Sequence, residues 1–116
     1  MSKLVAVYGS LREGFGNHSL LGDSELKSTE RLRGGFTMLH LGGFPGVVLE
    51  GDSDITVEVY EVDDDVFARL DQLEGYPSFY NRKQVKTTEG MAWMYYLECK
   101  DEWTNTYIPS GDWNDR

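Results

Sequence analysis

Cysteine is almost missing from this sequence: Cys99 is the only one, so no disulfide can form within the chain and a cysteine-based metal cluster is excluded. Histidine is nearly as scarce. His18 and His40 stand far apart, with no cysteine or carboxylate at metal-ligand spacing, so no metal is assigned. Positive charge is also short, at eleven Lys and Arg against twenty Asp and Glu, for a net charge of −9. That surplus repels a phosphate backbone or an anionic membrane face. The most basic stretches (Lys27, Arg31, Arg33; Arg82, Lys83, Lys86) have acidic residues close by, so neither nucleic acid nor membrane is an expected partner. The first residues, Met-Ser-Lys-Leu-Val-Ala-Val, turn polar by Gly9, too early for a signal peptide's apolar region or a membrane span, and a soluble cytoplasmic protein is expected.

What is present suffices for a core. A chain of 116 residues that is 40% apolar and 13% aromatic fits one domain over residues 1–116. Leu4 to Tyr8 is a short apolar run halted by Gly9 and reads as a strand buried on both faces. The stretch from Ser10 to Asn17 has no period and reads as a loop, after which Asn17 or Ser19 could cap a helical turn carrying Leu20 and Leu21. Residues 25–50 are punctuated by Gly34-Gly35 and by Gly42-Gly43-Phe44-Pro45-Gly46, which predicts two or three strands with tight turns. Ile55 to Val62 alternates, with Ile55, Val57 and Val59 on one face and Thr56, Glu58 and Tyr60 on the other. Asp63-Asp64-Asp65 then caps a helix whose stripe is Val66, Phe67, Leu70 and Leu73. Gly75 stops it, so the helix is predicted over 64–74. Tyr80 to Thr88 and Met91 to Glu98 flank Glu89-Gly90 as a β-hairpin, and the tail from Lys100 shows no period.

Two places could carry chemistry. At Tyr8-Gly9-Ser10-Leu11 a glycine after a strand lets the backbone turn sharply and present successive N–H groups to an anion, although an ordinary turn is the plainer reading. At Leu73-Glu74-Gly75-Tyr76-Pro77-Ser78-Phe79-Tyr80 a carboxylate sits among apolar and aromatic residues where a helix ends. Desolvation and the negative end of the helix dipole would both favour its protonated form and suit general acid/base work near neutral pH. A solvated helix-terminal Glu is the plainer alternative. Cys99 reads as a strand-end core residue, His18 as a loop holder, and the aromatic row Trp93, Tyr95 and Tyr96 as core or barrel lining, although a Tyr hydroxyl can point into a pocket.

Taken together, Val7-Tyr8-Gly9-Ser10-Leu11-Arg12 followed by Gly16-Asn17-His18 and Leu21 resembles the N-terminal signature of the gamma-glutamylcyclotransferase-like proteins, which include the gamma-glutamylamine cyclotransferases. Leu70-Asp71-Gln72-Leu73-Glu74-Gly75-Tyr76-Pro77, with Tyr80 and Arg82 after it, resembles the second signature, whose glutamate is the catalytic acid/base. Ile108-Pro109-Ser110-Gly111-Asp112-Trp113 resembles the closing segment. The resemblance implies an α+β fold, a small mixed β-barrel with flanking helices, in which Glu74 and the loop meet at one cavity. It implies catalysis by Glu74 and substrate binding by Tyr8, Gly9, Ser10, Leu11 and Tyr80. It also implies a cofactor-free release of 5-oxoproline and an amine or amino acid from a small γ-glutamyl substrate. The leaving amine and the oligomeric state stay open. A non-catalytic member that binds a small acidic metabolite, or a small protein-interaction domain with an acidic working surface, would share the same fold.

Overall fold

Strand β1, Lys3–Val7, lies at the centre of a mixed sheet. Its side chains alternate between two buried layers, with Val5 and Val7 in one and Ala6 and the following Tyr8 in the other. The structure, a computed structural model, describes residues 3–9, 11–12, 18–22, 24–40, 45–76, 78–97, 107–108 and 111–113. Within them the order of elements is β1, a 3-10 turn at His18–Leu21, β2 (Glu25–His40), β3 (Pro45–Val62), α1 (Asp64–Leu73), β4 (Asn81–Thr87), β5 (Gly90–Tyr96) and β6 (Tyr107–Ile108). The sheet runs β4-β5-β1-β3-β2-β6. β1 pairs antiparallel with β3 and parallel with β5, the other pairings being antiparallel.

The fold is α+β as expected, but the described strands form an open sheet edged by β4 and β6 and not a closed barrel. It is nevertheless curled, because β1 is only five residues long. Past its end Leu97 donates its N–H to the Val47 carbonyl at 2.8 Å and bridges Val48 in parallel, so the strands on either side of β1 meet directly. That junction is where the candidate site lies.

Strands β2 and β3 are longer and less interrupted than predicted. Gly34-Gly35 does not end a strand: both residues take positive φ (66° and 83°), and the pairing register shifts between Leu32 and Phe36. Alternation on β3 holds, with Ile55, Val57 and Val59 in one layer and Tyr60 and Val62 in the other. Thr56 and Glu58 are buried as well, so that face is covered too.

Helix α1 begins as its sequence dictates, the Asp63 carboxylate accepting from the Val66 N–H at 2.8 Å. Phe67 and Leu70 bury against Val5, Val7, Tyr60 and Val62. Leu73, predicted to complete the stripe, is 43% exposed, so the buried face of the helix ends at Leu70. The hairpin turn falls one residue earlier than predicted: Thr87 pairs with Gly90, leaving Thr88-Glu89 as the two-residue loop. Cys99, Asn17 and the residues just after Lys100 lie outside the described residues, whereas the tail supplies β6, which periodicity did not reveal.

The closing segment docks on β3. Gly111 accepts from the Thr56 N–H at 2.9 Å, and Trp113 is buried beside His40. Gly111 has φ 69°, and a Cβ there would stand 1.8 Å from the Asp54 carbonyl oxygen. Gly34 has nearly the same φ but open space around it. Gly34→Ala should therefore cost about 1–2 kcal/mol, the left-handed penalty alone. Gly111→Ala should cost at least about 2 kcal/mol more, as the backbones are forced apart. Urea midpoints of the two variants measure the difference, and equal losses would contradict this account of the glycine.

Candidate active site

Glu74 follows the last helical residue, with φ −82° and ψ −4°, its N–H bonded to the Leu70 carbonyl at 2.9 Å. Gly75 then takes φ 64° and turns the chain away, as a left-handed residue after a helix does. The returning segment is tied to the same point, since the Tyr80 N–H donates to the Glu74 carbonyl at 3.3 Å. The helix end is thus a corner with fixed entry and exit.

From this corner a circuit of contacts runs through the sheet and returns. The Tyr80 hydroxyl donates to the Pro45 carbonyl at 2.6 Å. Pro45 in turn lies against Gly9, where a Cβ would meet the proline Cγ and Cδ at 2.6 and 2.8 Å, so only glycine admits this approach. Next to Gly9, the buried Tyr8 donates its hydroxyl to the Tyr95 carbonyl at 2.8 Å. The Tyr95 hydroxyl donates to Asp71 at 2.6 Å, one helical turn before Glu74. Asp71 also pairs with Arg82. That guanidinium lies over the rings of Phe67, Tyr76 and Trp93, at 4.6, 4.2 and 5.0 Å from their centroids.

The electrostatics show that these groups share one environment. Burial raises the Glu74 pKa to about 7, and no cationic side chain among the described residues draws it back down. Tyr8 is raised by burial, then by Tyr80 and by Glu74. Tyr80 is raised by burial and by Glu74, and Tyr95 by burial and its bond to Asp71, with Glu74 contributing. All three phenols stay protonated donors. Glu74 can therefore exchange a proton near neutrality beside groups that do not titrate there.

Of the residues singled out from sequence, Tyr8, Gly9, Tyr80 and Glu74 belong to this circuit. Leu11 is a buried part of the turn that the Arg12 N–H closes on the Gly9 carbonyl at 3.0 Å. Ser10 lies outside the described residues. His18 holds the turn, its Nδ1 donating to the Leu11 carbonyl at 3.0 Å, which requires the proton on that nitrogen. Sequence reading missed Pro45 and Asp71, whose roles depend on partners more than twenty residues away. Tyr95, expected as core or barrel lining with a hydroxyl able to face a pocket, joins the circuit through that hydroxyl. Among the described residues no group of three His, Cys, Asp or Glu could hold a metal ion, and no helix is long and apolar enough to cross a membrane.

Among the described residues a mixed sheet carries one α-helix, which ends at a half-buried carboxyl with a raised pKa. The family model "Gamma-glutamyl cyclotransferase, AIG2-like" matches residues 5–115, and the chain belongs to that family. It is 39% identical over 116 residues, all of this chain and 99% of the other, to a Vibrio cholerae protein with a provisional gamma-glutamylcyclotransferase name. It is 29% identical to the Gamma-L-glutamyl-butirosin B gamma-glutamyl cyclotransferase of Niallia circulans, over 92% of this chain and 72% of that one. Among solved structures, an uncharacterised protein from Pyrococcus horikoshii superimposes with a TM-score of 0.84 at 29% identity, covering 97% of this chain and 91% of the other.

The Glu74 pKa sets a stability prediction. Well below pH 4.5 the group is neutral folded or unfolded. As pH rises from there through about 7 the unfolded chain ionises freely while the folded one resists, so stability falls. The loss is at most about 3 kcal/mol, reached above pH 7. Glu74→Gln should therefore unfold at the same urea concentration as the parent at pH 4 and at a higher one at pH 8. An equal midpoint at both pH values would show that Glu74 is ordinarily solvated.

Proposed function

We propose that this protein is a gamma-glutamyl cyclotransferase in which Glu74 carries the proton. The observation that carries the reading is a carboxyl held near pKa 7 by burial and acting electrostatically on Tyr8, the residue before the Gly9 turn. Family membership and the activity named for the Niallia circulans relative, which shares 29% identity, support it.

In the proposed reaction the α-amine of a γ-glutamyl group attacks its own γ-carbonyl. A new C–N bond closes the five-membered ring of 5-oxoproline, and the C–N bond to the leaving amine breaks. The ammonium must lose a proton before it can attack, and the leaving nitrogen must gain one. A carboxylate with a pKa near 7 is suited to both, because neither protonation state is costly at working pH. Ring closure is already intramolecular, so the protein gains most by holding the glutamyl chain folded for attack. Backbone N–H groups of Gly9, Ser10 and Leu11 would receive the substrate's carboxylate or the developing oxyanion, in a setting from which water is largely removed. Tyr8 and Tyr80 would wall the substrate. With both hydroxyl protons committed to carbonyls, they offer it ring faces and oxygen lone pairs. The substrate is a small molecule, no cofactor enters, and the protein works in the cytoplasm.

A panel of γ-glutamyl amines and amino acids assayed for 5-oxoproline tests the reading. Glu74→Gln should lower turnover about a hundredfold or more, roughly 3 kcal/mol of barrier, while the protein stays folded. Turnover by the parent should climb with pH through about 7, as Glu74 ionises to the base form. Unchanged turnover in Glu74→Gln would remove Glu74 from the mechanism. Retention of a small acidic ligand without turnover of any panel member would favour a binding role instead.

A further inference from the structure

Arg12 is a buried cation, 5% exposed, in a chain short of positive charge. Its Nε donates to Glu58 of β3 at 3.2 Å, and its Nη1 donates to Asp112 at 2.9 Å. Glu58 also accepts from the Tyr60 hydroxyl at 2.9 Å. Burial opposes the charge of Arg12, and its bonds to Asp112 and Glu58 outweigh that, so it stays ionised. Three distant stretches of chain therefore meet at one guanidinium: the turn after β1, the middle of β3 and the closing segment.

The place of that guanidinium matters because Arg12 also closes the turn, its N–H bonded to the Gly9 carbonyl. Its side chain and its backbone thus fix the same few residues from two directions. Asp112 is itself held firmly, since the preceding Gly111 fits only against the Asp54 backbone and accepts from the Thr56 N–H, and the following Trp113 is buried. A rigid carboxylate is thereby presented to a fork-shaped donor, a geometry that an arginine matches and a lysine does not.

We propose that Asp112 and Glu58 are positioning residues which, through Arg12, hold the 9–12 turn in the shape that receives the carboxylate of the γ-glutamyl group. The inference rests on the function proposed above for the turn. It separates two tasks, substrate capture by the turn under control of the closing segment and proton transfer by Glu74, and so predicts separate kinetic signatures. Weakening the Arg12 cluster loosens capture and leaves the proton step alone.

Asp112 is the better test position, being only partly buried. In Asp112→Asn, KM for a turned-over γ-glutamyl amine should rise about tenfold, kcat should stay within about twofold, and the pH dependence of kcat should not move. Glu58→Gln should act in the same direction and serves if the first variant is poorly folded. A purely structural role would instead lower kcat through loss of active protein at unchanged KM. That outcome, or unaltered KM in both variants, would overturn the proposal. Amide hydrogen exchange reads the same device without any activity. In Asp112→Asn the Arg12 N–H should exchange at least about tenfold faster while those of Val57 and Val59 keep their protection. If the parent turns over nothing in the panel, the functional reading fails, and exchange alone then decides whether Asp112 holds the turn; an unchanged Arg12 rate would overturn it.

Discussion

A carboxyl group taken out of water with no cation beside it holds its proton up to neutral pH, and once ionised it burdens the fold. Glu74, half-buried at the helix end, is pushed towards that state by desolvation, and the surrounding contacts keep it there. The helix must end at a fixed point, so Gly75 turns the chain and Tyr80 returns to bond the Glu74 carbonyl. The corner must not open to water as the carboxylate ionises, so tyrosine hydroxyls bridge it to β3 through Pro45 and join β1 to β5. Each bridge uses a neutral donor on a backbone carbonyl. None introduces a positive charge that would pull the Glu74 pKa back towards that of a free carboxylate.

The same arrangement explains why the site lies where β1 stops. Five residues of central strand separate β3 from β5, and beyond them the two come together at Val47 and Leu97. A sheet that closes past the end of its middle strand leaves the next residues, Tyr8 and Gly9, with backbone groups that the ladder no longer uses. The helix following β3 packs over the same face and delivers Glu74 to that end. Strand length thus sets the position of the chemistry.

The local elements were legible from sequence, because each is decided by neighbours in the chain. The alternation from Ile55 to Val62, the aspartate cap of α1 and the glycine after Glu74 all act within a turn or two. Gly34-Gly35 misled because a glycine pair at positive φ makes a bulge as readily as a turn, and only the facing strand decides which. The burial of Glu58 is likewise decided from afar. Alternation puts it on one face with Thr56 and Tyr60, and its partner Arg12 comes from more than forty residues away. Glu74 and the glycine turn could be singled out by residue type and by resemblance, whereas the contacts that join them run through Pro45 and Tyr95, which carry no local signal. Barrel closure failed as an expectation because it depends on the two edges, β4 and β6, and nothing in their sequences specifies a pairing between them.

Scarcity of positive charge finally becomes part of the design. Two arginines lie close to the site, and each is engaged by carboxylates other than Glu74: Arg82 by Asp71, and Arg12 by Glu58 and Asp112. Asp71 and Glu74 lie about one helical turn apart with opposite surroundings, the first paired with a guanidinium set among three aromatic rings and the second only buried. A free arginine at the corner would have stabilised the ionised Glu74 and lowered its basicity, which is the property the proposed reaction uses. By fixing its arginines on structural carboxylates, the chain gains rigid joints on both sides of the site and leaves the proton of Glu74 to be governed by burial alone.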